Sequence, residues 1–362
     1  MTEIGRHKTE LDTPILWVDL DQLEQNIANL AQHCRQAGVN WRPHTKGIKT
    51  PAIAHKLLAA GAIGVTCAKL AEAEVMAASG ITDILVANQV VGPQKIARLV
   101  NLLRHADVKI AVDNAAVVTA LGEAATAKGV TAGVLIEVNT GMDRAGVLPG
   151  EPALALARHV AATPGLRLRG LMAWEGHTLA FPDPEQKRRG VEESIRLLLE
   201  TVERCRRAGL PIEIVSCGGS GTYQITAAIP GVTEIQAGGG IFGDVTYQGW
   251  GVPFAPALFV QSMVTSRPTP QRVIIDAGFK TLPRGFAAPR PLGLPGVKTL
   301  SLSAEHGNIT LEESSQTPNV GDVIDLVVGY SDATVCLHEQ LYGIRNGQVE
   351  TIWPILGRGK LR

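Results

Sequence analysis

The sequence has no net charge, few cysteines and no long apolar run. Its 34 Lys and Arg residues balance 34 Asp and Glu residues, so charge provides no attraction to nucleic acid or to an anionic membrane. No apolar run reaches the ~18 residues of a membrane-spanning helix, and the polar N-terminus carries no secretion signal. We therefore expect a cytoplasmic protein that has neither nucleic acid nor a membrane as its partner.

The five cysteines are odd in number, scattered along the chain and without CxxC spacing. That spacing is typical of zinc sites and redox pairs, and an even number is typical of disulfide frameworks. The cysteines therefore indicate reduced thiols, as in a cytosol, rather than a disulfide scaffold or a zinc site.

Eight short extended runs alternate with helical stretches that are rich in Ala, Leu and Glu. The runs are Val39–Lys46, Ile63–Lys69, Asp83–Gln89, Val108–Asn114, Gly133–Thr140, Leu168–Trp174, Glu213–Cys217 and Glu234–Ala237. Eight β/α repeats predict a (β/α)8 barrel of the TIM type, in which buried strands have an apolar sequence. A doubly wound open sheet has the same alternation and stays open as the alternative.

The pattern changes near Trp250, where helical segments give way to strands joined by Gly, Pro and Asn turns. We predict strands at Val273–Ala277, Val297–Ala304, Val323–Val328, Glu339–Arg345 and Val349–Pro354. The fold class is therefore α/β, with a barrel domain over residues 1–250 and an all-β domain over residues 251–362. We expect residues 1–20 to contribute a strand to the β domain.

Lys46 stands at the end of the first run, where (β/α) barrels place their reacting groups. A lysine amine there can form a Schiff base with an aldehyde cofactor. Glycine-rich loops follow the seventh and eighth runs, at Ser216–Thr222 and Gln236–Gly240. Barrels often bind phosphate at this pair of loops, because glycines let backbone N–H groups approach the oxygens. The lysine and the two loops together describe a barrel that holds pyridoxal 5′-phosphate.

The segment Arg42-Pro43-His44-Thr45-Lys46 resembles the lysine motif of the D-threonine aldolase and D-serine dehydratase-like family. These are fold-type III pyridoxal phosphate enzymes, relatives of alanine racemase. Further matches cover nearly the whole chain: Glu137–Gly141, Arg144–Val147, Ser216–Thr222, Asp276–Lys280, Ala304–Gly307 and Trp353–Lys360.

The resemblance implies a role for each matched residue. Lys46 would carry the cofactor as a Schiff base and then act as the base at the substrate α-carbon. His44 would lie beside the Schiff base, and Arg144 near the cofactor ring. His306 would form the substrate side of the pocket, in a homodimer that combines one subunit's barrel with the partner's β domain. The residues expected around the phosphate are Gly219, Ser220, Gly221, Thr222, Gln236, Gly238 and Gly239.

Tyr330 and Trp174 stand at positions that depart from the family pattern, and Ile48 stands where the family often has histidine. Family aldolases and dehydratases hold a divalent metal with a histidine and, two residues later, an aspartate or cysteine. Tyr330 replaces that histidine here, which leaves Asp332 as a weak candidate ligand, since a neutral phenol binds zinc or manganese poorly. His338 could serve only through a shifted alignment, and its segment is predicted to continue a strand. Trp174 stands where the family often has tyrosine and would either stack on the cofactor or pack in the core.

Three functions stay open. The first is a lyase that cleaves or dehydrates a β-hydroxy D-amino acid, with His306, His177 or Tyr330 taking over the acid–base task of the metal. The second is a racemase that uses Lys46 and Tyr330, which requires a lowered pKa for the phenol; Arg144 or a histidine could supply the positive charge. The third is a non-catalytic cofactor carrier, although such carriers lack a β domain. The substrate in the first two is a small amino acid.

Overall fold

The computed structural model describes residues 3–362. The chain forms two compact units, each assembled from separate stretches of sequence. The barrel unit contains Leu30–Lys46, Ile53–Gly238 and Lys360–Arg362, and the β unit contains the other described residues. Among the described helices, none is both long and apolar enough to cross a membrane.

The barrel unit is built on a sheet of eight parallel strands. They are Asn40–Trp41, Val65–Cys67, Asp83–Val86, Asp107–Val112, Ala132–Glu137, Leu166–Met172, Ile214–Cys217 and Glu234–Ile235. The first strand pairs with the eighth, and a bridge between His44 and Thr66 joins the first to the second. This bridge closes the sheet, so the predicted (β/α)8 barrel is confirmed and the open-sheet alternative is wrong.

One helix precedes the first barrel strand, and one follows each of the first seven barrel strands. Their bounds are Leu20–Ala37, Pro51–Ala59, Leu70–Ala78, Pro93–Leu102, Ala115–Ala127, Glu151–Ala162, Pro184–Arg207 and Tyr223–Thr226. Capping fixes where two of them begin: Asn114 and Asp183 each accept hydrogen bonds from backbone N–H groups of the first helical turn. Inside the barrel, apolar side chains of neighbouring strands pack together, among them Leu85, Leu135 and Met172.

The β unit contains a sheet of nine strands. They are Ile15–Asp19, Leu258–Thr269, Arg272–Ile275, Arg290–Pro291, Val297–Leu302, Gly307–Leu311, Val323–Val327, Gln340–Arg345 and Gln348–Pro354. Strand Ile15–Asp19 pairs antiparallel with Leu258–Thr269 and parallel with Gln340–Arg345. The buried core beneath the sheet includes Trp17 and Phe259, whose rings stack with centroids 4.5 Å apart.

The β unit also contains short helices that the sequence pattern did not predict. They are Val245–Gly249 and Ser331–Thr334, the second continued by a 3-10 turn at Val335–Leu337. The prediction of a strand through Cys336 and His338 is therefore wrong. The cause is local, because Thr334 donates a hydrogen bond from its hydroxyl to the Tyr330 carbonyl, which stabilises a helical turn there.

Candidate active site

Lys46 lies in a 3-10 turn, Thr45–Gly47, that follows the first barrel strand. The extended run predicted to reach Lys46 is too long, because the strand itself ends at Trp41. Pro43 lacks an N–H and cannot continue the ladder as a donor. A buried hydrogen bond anchors the turn, since the Thr45 hydroxyl donates to a carboxylate oxygen of Glu72 at 2.8 Å. This anchor leaves Lys46 half-buried at the C-terminal end of its strand.

A buried chain of polar contacts connects the strand of Lys46 to the strands that precede the glycine loops. Arg42 is only 2% exposed, forms an ion pair with Asp83 and donates to Glu234 at 2.9 Å. Glu234 also accepts from the Ser216 hydroxyl at 2.7 Å, and that hydroxyl accepts from the Gln236 amide at 3.0 Å. Because a buried ion pair loses several kcal/mol when one partner is removed, this network fixes the strand positions firmly.

The two glycine loops lie side by side, as barrel geometry predicts. The Gly238 N–H donates to the Ser220 hydroxyl at 3.1 Å, which joins the loop after the seventh strand to the loop after the eighth. The His44 N–H donates to the Gln236 carbonyl at 3.0 Å, so the lysine turn lies beside the same loops. Within residues 3–362 the Gly221 N–H makes no hydrogen bond. A backbone donor of this kind is suited to an anion such as phosphate.

A buried glutamate supports the first glycine loop, and sequence analysis assigned it no role. Glu175 is fully buried and accepts hydrogen bonds from the hydroxyls of Thr222 at 2.6 Å and Thr226 at 2.9 Å. Burial raises the pKa of this carboxyl. The Thr222 hydroxyl therefore supports the loop from behind, where we had expected a donor to the phosphate. The sequence feature that could have identified Glu175 is its position shortly after the sixth barrel strand.

Trp174 packs against the same loop. A Cβ built on Gly219 would lie 2.4 Å from the indole Cη2, so only glycine permits this close approach. Trp174 is half-buried there. His177 lies farther along the same segment, and its Nδ1 is buried without a hydrogen-bond partner in the described chain. A buried nitrogen left in that state favours a bound group or water as its partner.

Arg144 lies at the edge of the barrel opening rather than inside it. Its side chain is 56% exposed, and a guanidinium nitrogen lies 3.9 Å from Glu137, at the C-terminal end of the fifth strand. Glu137 also accepts from the Gln89 amide. Burial raises the pKa of the Glu137 carboxyl. Glu137 is therefore a second buried acid at the barrel mouth for which sequence analysis named no function.

The β unit brings together the residues that correspond to the family metal motif. The Tyr330 hydroxyl donates to Asp332 Oδ2 at 2.9 Å, and the Tyr247 hydroxyl donates to Oδ1 at 3.2 Å. Burial, and next the charge of Asp332, raise the pKa of Tyr330. The racemase hypothesis requires a lowered pKa for this phenol, and burial shifts the pKa in the opposite direction. Gly239, which we expected at the phosphate, belongs to the β unit, whereas the preceding residue Gly238 belongs to the barrel unit.

The histidines of the β unit do not form a metal site. His338 donates from Nε2 to the Thr281 carbonyl at 2.8 Å. His306 is exposed, and its imidazole makes no hydrogen bond or ion pair within residues 3–362. The described part of the chain contains no cluster of three or more His, Cys, Asp or Glu side chains that could hold a metal ion.

Comparison with known proteins gives matches over almost the entire chain. Residues 18–246 match the alanine racemase N-terminal domain, and residues 257–344 match the serine dehydratase domain. A D-threonine aldolase from Arthrobacter sp. is 36% identical over 98% of this chain and 95% of its own length. A 3-hydroxy-D-aspartate aldolase from Paracoccus denitrificans is 33% identical over 98% and 94%. The crystal structure of D-threonine aldolase from Filomicrobium marinum, 36% identical, superimposes with a TM-score of 0.97 over 100% of this chain and 99% of the other.

Proposed function

The chain belongs to the family that joins an alanine racemase N-terminal domain to a serine dehydratase domain, and on that premise we propose that it is a pyridoxal 5′-phosphate-dependent lyase. Its substrate would be a β-hydroxy D-amino acid, cleaved in the retro-aldol direction between the α- and β-carbons. The observation that carries the proposal is the half-buried Lys46 in a turn hydrogen-bonded to the loop after the eighth strand.

The residues at the barrel mouth fit this cofactor. The loops after the seventh and eighth strands offer a backbone donor at Gly221, a hydroxyl at Ser220 and small residues at Gly219 and Gly238 for the phosphate. We propose that Lys46 binds the aldehyde carbon. The proposed phosphate set otherwise includes Gln236 and Gly239, whereas the Thr222 hydroxyl supports the loop through Glu175.

When bound, the cofactor would delocalise the electron pair left on the α-carbon as a bond to that carbon breaks. The protein then decides which bond breaks and where protons go. The amine of Lys46 would return a proton to the α-carbon, and the β-hydroxyl must lose one for an aldehyde to leave. His44 Nδ1 accepts a hydrogen bond from the backbone N–H of Lys46 at 3.3 Å, and we propose that His44 lies beside the Schiff base. We propose that Arg144 faces the cofactor ring from the edge of the opening.

The role of Lys46 is tested by reduction of the purified holoenzyme with borohydride, followed by peptide mapping. We expect the label on Lys46, and we expect Lys46→Ala and Lys46→Arg to lose the covalent cofactor absorbance near ~420 nm. Lys46→Arg keeps the positive charge, so a loss of the absorbance in this variant would show that the amine itself is required. Lys56→Ala, on the helix that follows, serves as the matched control and should keep the absorbance. A reducible cofactor retained in Lys46→Ala would overturn the assignment.

The reaction is tested with D-threonine, D-phenylserine and D-serine as substrates, with and without EDTA. We expect an aldehyde and glycine from the first two substrates. Exchange of the α-proton with solvent, without an aldehyde, would instead indicate a racemase. No turnover of any substrate would indicate a cofactor carrier.

A further inference from the structure

Both oxygens of the Asp332 carboxylate already have hydrogen-bond donors in this chain. Tyr330 donates to Oδ2 at 2.9 Å and Tyr247 to Oδ1 at 3.2 Å, and all three residues belong to the β unit. Two phenols therefore occupy the carboxylate that would be a ligand in a metal-dependent relative. The Tyr247 and Tyr330 rings also pack against each other, with centroids 5.8 Å apart, so the arrangement is held by the aromatic faces as well.

Backbone packs closely against the other side of the carboxylate. A Cβ built on Gly47 would lie 2.2 Å from Asp332 Oδ1, and one built on Gly239 would lie 3.0 Å from the same oxygen. Oδ1 is thus enclosed by two glycines and one phenol. Zinc and manganese require several donor atoms at about 2.0–2.2 Å with open coordination space around the ion, and this pocket provides one carboxylate.

The phenols act as proton donors here and cannot easily become metal ligands. Both hydroxyls donate hydrogen bonds to the Asp332 carboxylate, so both phenols carry their protons in this arrangement. A neutral phenol is a poor ligand for borderline divalent metals, which prefer imidazole, carboxylate or thiolate. The donor set therefore does not fit the metal that the family pattern implies.

We propose that the Tyr330–Asp332–Tyr247 cluster takes the place of a divalent cation in this chain, and that Tyr330 is the residue that prevents metal binding. The inference rests on the proposed lyase function for its catalytic meaning, but the chemistry of the cluster stands independently. For the proposed reaction it means that hydrogen bonding, rather than a cation, must polarise the substrate β-hydroxyl. Gly47, which packs against the Asp332 carboxylate, follows the proposed catalytic Lys46 directly in the chain.

The test measures metal binding and does not depend on turnover. Holoenzyme stripped with EDTA is titrated with Mn²⁺ or Zn²⁺, and the bound metal is counted by electron paramagnetic resonance for Mn²⁺ and by mass spectrometry of the dialysed protein for both. We expect the native chain to retain neither metal. Tyr330→His supplies the missing imidazole and should bind about one ion per chain. Asp332→Ala in that background should remove the binding, with a loss of affinity of at least about 100-fold.

A second variant keeps the test decisive if Tyr247 alone still blocks the carboxylate. Tyr330→His combined with Tyr247→Phe frees both oxygens, and we expect this double variant to bind at least as tightly as the single one. Tyr330→Phe is the matched control and should bind no metal, and circular dichroism checks that each variant is folded. The proposal fails if the native chain retains a metal that Asp332→Ala releases, or if neither histidine variant gains one. Failure of the lyase proposal would appear separately, as an absence of aldehyde.

Discussion

Glu175 provides the sharpest prediction about the candidate site, because three donors from one loop converge on it. The hydroxyls of Thr222 and Thr226 donate to the same oxygen, and the Gly218 N–H lies 3.4 Å from the other. Replacing Glu175 with alanine leaves these donors without their acceptor, and a buried unsatisfied donor costs about 1–3 kcal/mol. Each hydroxyl also has a second, more distant acceptor: the Gly219 carbonyl lies 3.4 Å from the Thr222 hydroxyl, and the Thr222 carbonyl lies 3.2 Å from the Thr226 hydroxyl. We therefore expect a net cost of roughly 2 kcal/mol for Glu175→Ala.

The measurement is thermal unfolding of the holoenzyme, together with cofactor retention. In a unit of roughly 200 residues, a loss of about 2 kcal/mol corresponds to a fall in Tm of about 4–8 °C. The variant should also release pyridoxal phosphate more readily than the native chain, because the loop that would hold the phosphate loses its support. Glu175→Gln is the matched control, since its amide oxygen can still accept both hydroxyl donors.

The control also tests the ionisation of Glu175. Burial raises the pKa of this carboxyl in the folded chain, so folding favours the protonated form. The stability it contributes is fully present below the usual carboxyl pKa and is lost as pH rises towards the folded value. A glutamine stays neutral, so Glu175→Gln should gain in Tm relative to the native chain as the pH is raised from 4 through neutrality. Equal effects of Ala and Gln, or a Gln difference that does not change with pH, would refute this reasoning.

Two further predictions concern the β unit. Burial raises the pKa of Asp244 to about 7, so the stability that its protonated form contributes is lost as pH rises from about 4 to about 7. The free energy of unfolding of Asp244→Asn should therefore rise by as much as roughly 4 kcal/mol relative to that of the native chain over this range. Parallel profiles of Tm against pH for the two proteins would contradict this prediction. We also expect a homodimer, with a light-scattering mass near twice 38.3 kDa, in which exposed His306 completes the partner's pocket. Mixing and refolding Lys46→Ala with His306→Ala should then restore about a quarter of native activity, because half the dimers carry one intact site; no recovery would place His306 outside the partner's pocket.

The barrel could be predicted from sequence because its strands are short apolar runs separated by periodic helices. The ends of those strands could not be predicted, since Pro43 and the Thr45 anchor decide that Lys46 lies in a turn. The long strand Leu258–Thr269 was also missed. Buried polar residues interrupt its apolar pattern, and Gln261 and Ser262 are both fully buried in it. Hydrophobic periodicity cannot identify a strand in which polar side chains occupy buried positions.

The candidate site shows the same division between local and distant information. Sequence alone identified the histidine position that Tyr330 fills, because the motif is contiguous, but it did not identify Tyr247, which lies far away in the chain. The family resemblance implies an imidazole that would share a cation with Asp332 at this position, whereas Tyr330 donates a hydrogen bond to Asp332. A carboxylate with two oxygens then needs a second donor, and Tyr247 provides it at 3.2 Å. The effect of a tyrosine at position 330 can therefore be understood only together with Tyr247, whose contact with Asp332 is visible only in the folded chain.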